Sequence, residues 1–247
     1  MINNSKSSAK KKEVLLIIPA FNEEESLPKV VEEVRCLPFC DYIVINDGSG
    51  DGTGALCARN AYPCIDLPVN LGLAGALQSG MRYAKQNAYN YAVQIDADGQ
   101  HMAEYVITLL EEIKRGSDIA IGSRYLRGNK GAQSIRGFGS KLISAAIRAT
   151  TGQKITDPTS GMRMFNKKMI DIFSESINLG PEPDTIAYLI RNGAKVGEVS
   201  VKMRERLAGK SYLTAFNALT YMLRMALSIL IVQFVRKKIN LGKEGIE

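Results

Sequence analysis

The run VLLIIPAFNEEE, residues 14–25, sets a pattern that the following hundred positions repeat. Its first five residues are all apolar, which is typical of a strand buried on both faces of a parallel sheet. Pro19 ends the apolar run, and polar residues follow it. Apolar residues then recur at helical spacing from Leu27 to Val34, behind Ser26 as a candidate N-cap. The stretch therefore predicts a buried strand, a polar loop and an amphipathic helix.

The same alternation continues to residue 121. Further apolar runs predict strands at Tyr42–Ile45, Cys64–Leu67, Tyr91–Ile95 and Asp118–Ile121. Helices are predicted between them, near Ala55, from about Ala74 to Asn87 and from Ala103 to Arg115. Strands that alternate with helices form a mostly parallel sheet with helices on both faces, because the crossovers are right-handed. The predicted fold class is α/β.

Two acidic residues follow the fourth of these strands, in the sequence DADGQH of residues 96–101. Alternate side chains of an extended chain point the same way, so Asp96 and Asp98 can reach one hard cation, to which Gln100 could add an amide oxygen. Such oxygen ligands suit Mg²⁺ or Mn²⁺ carrying a diphosphate. Ligands of α/β sheets bind beyond the carboxyl ends of the strands. This position favours a metal site over a solvated turn.

A glycine-rich loop supports a competing interpretation. Gly50, Gly52 and Ala55 match G-x-G-x-x-A after a strand, and Asp66 lies at the end of the next strand, as in dinucleotide-binding domains. An NAD(P)-binding Rossmann oxidoreductase is therefore an alternative. The loop follows the second predicted strand instead of the first, which argues against it. The P-loop motif G-x-x-x-x-G-K-[ST] is absent from the sequence, so a P-loop nucleotide-binding protein is excluded.

Six short motifs, in this order, resemble glycosyltransferase family 2. They are IPAFNEEE (18–25), INDGSGDGT (45–53), NLGLAGA (70–76), QIDADGQH (94–101), GSR (122–124) and DPTSGMR (157–163). The likeness spans about residues 14–206. It is greatest to the branch of dolichyl-phosphate mannose synthases and bacterial polyprenyl-phosphate or cell-surface polysaccharide glycosyltransferases. The resemblance implies a Rossmann-like GT-A fold, a nucleotide-sugar donor, a divalent metal and inversion at the anomeric carbon.

The resemblance also implies roles for individual residues. The nucleotide pocket would comprise Pro19, Ala20, Asn22, Glu23, Asp47, Gly48, Leu71 and Gly72. Asp96 would face the ribose and the metal, and Asp98 and Gln100 would hold the metal against the diphosphate. Arg124 would offset phosphate charge, and Arg204 or Arg206, in a segment that resembles a mobile loop, could reach the diphosphate. The acceptor side would be shaped by Asp157, Ser160, Gly161 and Arg163.

The acceptor decides whether the reaction needs a base. A sugar hydroxyl must lose its proton, whereas a lipid phosphate is already an anion. Relatives carry an acidic pair at the start of a helix, and here Glu182 matches the family's base best, with Asp184 second. Pro183 separates the two. The alternative is that both acids only favour a helix N-terminus.

Composition limits the classes of partner. The chain has 247 residues, of which 45% are apolar and 23% charged, as in ordinary globular proteins. Its net charge is +7, but it has no Trp and no basic stripe interleaved with aromatic residues, so nucleic-acid binding is not predicted. An anionic membrane surface or a phosphorylated substrate accounts for the charge. The four cysteines fit no C-x-x-C spacing and are predicted to be free thiols of a cytosolic protein.

Three segments are predicted along the chain: a disordered basic lead-in (1–12), a GT-A domain (13–210) and a C-terminal apolar helix with a basic tail (211–247). Arg224 interrupts the apolar stretch, and the remaining run, Met225–Val235, is too short for a bilayer, which needs about 20 residues. The cations at 236–238 favour a helix lying on an anionic leaflet or packed in a dimer interface. A core helix is the alternative.

The sequence thus predicts a metal-dependent, inverting glycosyltransferase, with a UDP-sugar as the first candidate donor. It would act on a lipid-linked or cell-surface glycan acceptor, as a peripheral protein at the cytoplasmic face of a bacterial plasma membrane. A polyprenyl-phosphate sugar synthase using a UDP- or GDP-sugar is the alternative within this class. A sugar-nucleotide sensor without catalytic activity is a further alternative.

Overall fold

The computed structural model of the chain describes residues 12–126, 135–176, 179–205, 215–236 and 239. The strands are β1 (Val14–Ala20), β2 (Cys40–Asn46), β3 (Cys64–Asp66), β4 (Tyr91–Gln94), β5 (Ile119–Ser123), β6 (Arg163–Asn166) and β7 (Val196–Ser200). They form a seven-stranded sheet in the order β3-β2-β1-β4-β6-β5-β7. β6 is antiparallel to both of its neighbours, and the other pairs are parallel. The predicted mostly parallel α/β sheet is confirmed, with β6 and β7 as strands that the apolar pattern did not predict.

The helices are α1 (Leu27–Arg35), α2 (Thr53–Arg59), α3 (Gly72–Gln86), α4 (Val106–Lys114), α5 (Ile135–Thr151), α6 (Lys167–Glu175), α7 (Pro183–Arg191), α8 (Ala215–Leu227) and α9 (Gln233–Val235). A 3₁₀ turn, Ala103–Tyr105, precedes α4, and a π-helical turn, Ser228–Val232, joins α8 to α9. Ser26 occupies the N-cap position of α1 as predicted, but its side chain does not cap the helix. Its hydroxyl instead donates to Glu23 Oε2 at 2.5 Å.

The apolar run of β1 is buried on both faces of the sheet. Leu15 and Ile17 lie in one core, with residues of α3, α5, α6, α7 and α8, whereas Leu16 and Ile18 lie in the other, with α1, α2 and α4. All four side chains are fully buried. Burying a Leu or Ile side chain contributes about 1.5–3 kcal/mol, so this central strand supports both layers of helices.

The helical segment 215–235, formed by α8, the π-helical turn and α9 and here called the C-terminal helix, packs on α5 and α7. Its buried face carries Met222, Met225, Ala226 and Ile229. Its exposed face carries the residues that we call the apolar stripe: Leu223, Leu227, Leu230, Ile231, Phe234 and Val235. The segment thus has the buried face of the alternative interpretation, a core helix, together with a solvent-facing apolar surface. In the part of the chain that the structure describes, no helix has the length and apolar character needed to span a bilayer.

One residue of the predicted lead-in, Lys12, contacts β2. Lys12, assigned to the lead-in, donates to the Cys40 carbonyl at 2.8 Å and lies 3.4 Å from Asp41 Oδ1. The rest of the lead-in lies outside the described residues. All four cysteines are free, in agreement with the prediction.

Candidate active site

A cavity of about 280 Å³ opens where β1, β2 and β4 end. Its lining comprises Pro19, Ala20, Phe21, Glu23, Asp47, Leu73, Ala76, Asp96, Ala97 and Asp98. The polar members follow the carboxyl ends of neighbouring strands, and α3 supplies an apolar wall. The structure therefore brings together, in one cavity, the loops that three of the family motifs occupy.

Six residues predicted for the nucleotide or metal site line this cavity: Pro19, Ala20, Glu23, Asp47, Asp96 and Asp98. Leu71 and Gly72 do not line it, and their role in the nucleotide pocket stays a prediction. They do not line it because α3 begins at Gly72, two residues before the predicted start, so the next residue, Leu73, faces the cavity. Phe21, Leu73, Ala76 and Ala97 were missed. The helical repeat of α3 is the signal that could have identified Leu73 and Ala76 as a pair on one face.

The turn after β2 is held by a close approach of two backbone segments. Gly48 has a φ of +65°, and a Cβ there would lie 2.6 Å from the backbone nitrogen of Asn70. A residue other than glycine would therefore force the two segments apart. Their contact lets Asp47 Oδ1 accept a hydrogen bond from the Leu71 backbone N–H at 2.7 Å. Gly48 and Leu71 shape the cavity indirectly, by fixing Asp47.

The backbone amides of the glycine-rich loop form hydrogen bonds with side chains of the same protein. The backbone N–H of Gly50 donates to Asn22 Oδ1, and that of Gly52 donates to Glu24 Oε2, both at 2.8 Å. These are the amides that a dinucleotide-binding loop would offer to a pyrophosphate. Because side chains after β1 already occupy them, the dinucleotide-binding interpretation of this loop is wrong. Asn22 acts as a cross-link between the two loops and does not line the cavity.

The Asp96 carboxylate is held from two sides. Gln94 Nε2 donates to Asp96 Oδ1 at 3.0 Å, whereas His101 Nδ1 accepts from the backbone N–H of Asp96 at 3.2 Å. Gly161 packs directly against the same carboxylate, so that a Cβ at this position would collide with Oδ2. The chain therefore fixes this carboxylate before any ligand binds.

Asp98 and Gln100 belong to the same turn. The Gln100 backbone N–H donates to Asp98 Oδ1 at 3.0 Å, and its side-chain Nε2 lies 3.4 Å from the Arg204 carbonyl oxygen. Two carboxylates and an amide oxygen are ligands that suit Mg²⁺ or Mn²⁺. Among the described residues there is no group of three or more Asp, Glu, His or Cys that could hold a metal ion by itself. This ligand set fits a cation that is shared with substrate phosphates.

Arg124 is paired within the protein. Its guanidinium makes two hydrogen bonds to the Asp157 carboxylate, at 2.6 and 2.7 Å, and one to Thr159 Oγ1 at 3.0 Å. Burial opposes the charged form, but the ion pair with Asp157 outweighs it and raises the pKa of Arg124. The structure thus places this cation beside the DPTSGMR segment and not in the lining of the cavity.

Arg204 is also paired, through an ion pair with Glu33 of α1. Its backbone N–H donates to the Gln100 carbonyl at 3.0 Å, and Met203 forms an antiparallel bridge with His101. The segment before residue 206 is therefore attached to the metal motif by its backbone. Arg206, the other cation predicted to reach the diphosphate, lies outside the described residues.

The two acidic residues of α7 have different surroundings. Glu182 precedes α7 and is half-buried, with its carboxylate next to Gly180, which also adjoins Ala74 of α3. Burial raises the pKa of Glu182. Asp184 instead accepts a hydrogen bond from Ser228 Oγ of the C-terminal helix at 2.7 Å. Of the two base candidates, Glu182 thus lies near the start of α3, whereas Asp184 is paired with the C-terminal helix.

Arg163 organises the DPTSGMR segment from inside the protein. It is 1% exposed and donates to the carbonyls of Ser160 (2.9 Å) and Pro158 (2.7 Å). Burial lowers its pKa to about 10. The two carbonyl contacts fold the segment into a turn, and this turn places Gly161 against Asp96.

Comparisons with known proteins agree with this geometry. The family model of glycosyl transferase family 2 matches residues 15–173. Polyprenol monophosphomannose synthase of Mycolicibacterium smegmatis is 32% identical over 233 residues, which cover 86% of this chain and 85% of that protein. Undecaprenyl-phosphate mannosyltransferase of Micrococcus luteus is 34% identical over 210 residues, 80% of this chain and 86% of that protein.

A solved structure with a similar fold is glucosyl-3-phosphoglycerate synthase from Mycobacterium tuberculosis, crystallised with Mn²⁺, UDP and glucosyl-3-phosphoglycerate. It superposes with a TM-score of 0.66 at 19% identity and covers 90% of this chain and 80% of that chain. At this identity the likeness shows the fold alone, which is of the GT-A type. With the family match, it overturns the oxidoreductase alternative. The chain belongs to glycosyltransferase family 2 and is a glycosyltransferase.

Proposed function

We propose that this glycosyltransferase moves one sugar from a nucleoside-diphosphate sugar to a polyprenyl phosphate. One observation carries the proposal: the chain aligns over at least 80% of its length with enzymes named for polyprenol-phosphate or undecaprenyl-phosphate mannosyl transfer. The sequence placed this activity second, behind transfer to a glycan. The relatives move it to first place.

The donor would bind in the 280 Å³ cavity. Apolar groups of Pro19, Ala20, Phe21 and Leu73 offer surfaces for the base and ribose, and Asp47 can accept a hydrogen bond from a nucleobase N–H. Uracil and guanine both carry such an N–H, so this contact does not choose between UDP- and GDP-sugars. Titration with both nucleotides is the direct way to identify the donor.

Asp96 and Asp98, with the amide oxygen of Gln100, would hold Mg²⁺ or Mn²⁺. When bound, the cation offsets the negative charge that develops on the diphosphate leaving group. The contribution of the chain is to keep the ligands in place: Gln94 donates to Asp96, and the turn of residues 98–100 is closed by the Gln100 backbone N–H.

The chemical step follows from the acceptor. An oxygen of the lipid phosphate attacks the anomeric carbon, the bond from that carbon to the diphosphate oxygen breaks, and the nucleoside diphosphate leaves with the electron pair. Attack from the opposite face inverts the configuration. The acceptor oxygen is already anionic, so no proton has to be removed and Glu182 is not needed as a base.

A second candidate is transfer to a sugar hydroxyl, and one observation favours it. Glu182 is half-buried, and burial raises its pKa, as is typical of carboxylates that act as general bases. Under this alternative Glu182 would take the hydroxyl proton. Its replacement would then abolish transfer, whereas the polyprenyl-phosphate reaction would continue.

The apolar stripe suits a peripheral position on the membrane. Its exposed Leu, Ile and Phe side chains are accompanied by the cations Arg224 and Arg236, and Lys237 and Lys238 follow in the sequence. Apolar side chains with basic neighbours are typical of helices that lie on an anionic leaflet. We propose that the C-terminal helix lies on the cytoplasmic leaflet, where a polyprenyl phosphate is available.

The test is a transfer assay with purified protein, vesicles containing undecaprenyl phosphate, Mn²⁺ and radiolabelled GDP-mannose, UDP-glucose or UDP-N-acetylglucosamine. We expect label in an acid-labile lipid product with one of the donors. Asp98→Asn should abolish this product, and Asp171→Asn, a partly exposed aspartate of α6 that pairs with Lys85, is the matched control. Label found only in an added soluble glycan would overturn the polyprenyl-phosphate assignment.

A further inference from the structure

His101, the only histidine of the chain, lies beneath the metal motif with 1% of its side chain exposed. Its Nδ1 accepts a hydrogen bond from the backbone N–H of Asp96 at 3.2 Å. An Nδ1 that accepts a hydrogen bond carries no proton, so the proton of the neutral ring is on Nε2. Nε2 is buried and has no hydrogen-bond partner within the described parts of the chain.

The backbone of His101 is fixed as well. It pairs in an antiparallel bridge with Met203, and the preceding carbonyl, that of Gln100, accepts from the Arg204 N–H at 3.0 Å. The backbone of His101 is therefore anchored to Met203, and its imidazole holds the backbone N–H of Asp96. It links the start of the DADGQH turn to its end.

This link opposes an electrostatic repulsion within the DADGQH turn. Asp96 and Asp98 are like charges in one short turn, and they repel each other whenever no cation lies between them. A turn held only by its own backbone would relax and separate the two carboxylates. Groups that hold metal ligands in place commonly contribute about 10–100-fold to metal affinity.

We propose that His101 is a positioning residue that preorganises Asp96 and Asp98 for the divalent cation, acting only through Nδ1. It is not a metal ligand, because its Nδ1 lone pair binds the Asp96 N–H and its Nε2 bears the proton. The inference rests on the proposed metal site, and it concerns how the chain builds that site.

Two variants separate the two ring nitrogens. The Asn side chain places its oxygen close to the position of Nδ1, whereas Gln reaches the position of Nε2. Binding of Mn²⁺ in the presence of UDP or GDP is measured by calorimetry or by the electron spin resonance signal of free Mn²⁺. We expect His101→Asn to bind Mn²⁺ within about 3-fold of wild type and His101→Gln to lose about 10–100-fold.

The Mn²⁺ affinities of the two variants distinguish the possible roles of His101. Equal losses in both variants, or retained affinity only in His101→Gln, would overturn the Nδ1 role. Asp98→Ala is measured in parallel, because unchanged Mn²⁺ affinity in that variant would refute the proposed metal site itself. Circular dichroism melting of each variant separates loss of folding from loss of binding.

A measurement on the unmodified protein keeps the proposal testable even if the variants do not fold. Because the chain has one histidine, selective ¹⁵N-histidine labelling gives a single pair of ring signals. We expect an unprotonated Nδ1 and a protonated Nε2, both before and after Mg²⁺ addition. A proton on Nδ1, or loss of the Nε2 proton when Mg²⁺ binds, would overturn the proposal.

Discussion

The two sides of the site are built differently. On the donor side, short loops after neighbouring strands bind one another, as Gly50 binds Asn22 and Leu71 binds Asp47. On the proposed acceptor side, α7 is held by the distant C-terminal helix, for example through Ser228 and Asp184. The geometry of the proposed donor side is therefore determined by short motifs in neighbouring loops. The geometry of the proposed acceptor side depends on packing between helices that are distant in the sequence.

Further contacts extend this comparison along α7. The Arg191 guanidinium lies 3.8 Å from the ring centre of Phe234, and the Ile239 backbone N–H donates to Asn192 Oδ1 at 3.0 Å. The helix that carries Glu182 at its start thus touches the segment that carries the apolar stripe over several turns. Changes on the donor side should affect chemistry directly, whereas changes on the acceptor side should affect where and on what the enzyme acts.

The largest effect is expected from Asp98→Ala. Under the proposed function, loss of this carboxylate removes one of the two charged ligands proposed for the cation, whose offset of leaving-group charge is worth several kcal/mol in the transition state. Transfer should fall by about 100-fold or more, and metal-dependent nucleotide binding should be lost. Sugar transfer and calorimetry check this, with Asp171→Asn as the control. Full activity in Asp98→Ala would remove the metal site from the donor side.

The next effect is expected from Gly161→Ala, which adds only one methyl group. The new Cβ would displace the Asp96 carboxylate from the place where Gln94 now holds it. We expect about a 10–100-fold loss of Mn²⁺ affinity, as for other disturbed ligand positions. Gly50→Ala is the matched control, because a Cβ at Gly50 meets no atom within 4 Å. Equal effects in both variants would mean that the contact with Asp96 is not the cause.

A smaller effect is expected from the acceptor side. The double variant Leu227→Ser, Ile231→Ser removes two exposed apolar side chains of the stripe and should weaken binding to anionic vesicles by about 10-fold or more. Because both side chains are largely exposed, melting should change little. Vesicle co-sedimentation and circular dichroism check this, with Ile107→Ser, an exposed residue of α4, as the control.

Sedimentation velocity of the wild type and the double variant tests the alternative that a second copy of the chain covers the apolar stripe. A wild-type dimer that the double variant converts to a monomer, with vesicle binding unchanged, would assign the stripe to a second copy of the chain.

The smallest effect on transfer is expected from Glu182→Gln. With polyprenyl phosphate as acceptor we expect less than a 10-fold loss and an unchanged pH profile, because no proton is removed. A loss of about 100-fold or more, together with disappearance of the acidic limb of the profile, would show that Glu182 is a base and that the acceptor is a hydroxyl.

The same variant has a stability effect with a defined sign. Burial raises the pKa of Glu182, so the folded state holds this proton more tightly than the unfolded state. Its contribution to stability is present below the ordinary glutamate pKa and is lost as pH rises through the raised value. Glu182→Gln should therefore melt higher than wild type at pH 7, and the difference should shrink toward pH 4.

Sequence reasoning worked best where the location of a residue depends only on the end of a strand. Asp47, Asp96 and Asp98 follow strand ends, and strand ends in a parallel sheet meet at one edge. Sequence reasoning failed to predict a strand that is short and contains polar residues. β6 has only four residues, begins with the buried Arg163 and ends with a polar residue, so no apolar run marks it.

Sequence reasoning also did not predict ion pairs between residues that are far apart in the chain. Arg124 and Arg204 were expected at the donor phosphates, but the structure pairs them with Asp157 and Glu33. Which carboxylate an arginine meets depends on loops packing across the sheet, and a single sequence carries no signal for that. The phosphate roles of both arginines stay predictions, and each would require its ion pair to open.

The reversed direction of β6 has a consequence for how such an enzyme can diversify. Arg163, its first residue, is in register with Gln94 and Ile121, so the chain enters β6 at the edge where the parallel strands leave the sheet. The loop that precedes β6 lies at this edge, where its Gly161 packs against Asp96 and its Asp157 pairs with Arg124. A change in the length or sequence of this loop would therefore also displace groups of the metal motif, so the proposed acceptor and donor sides would diversify together.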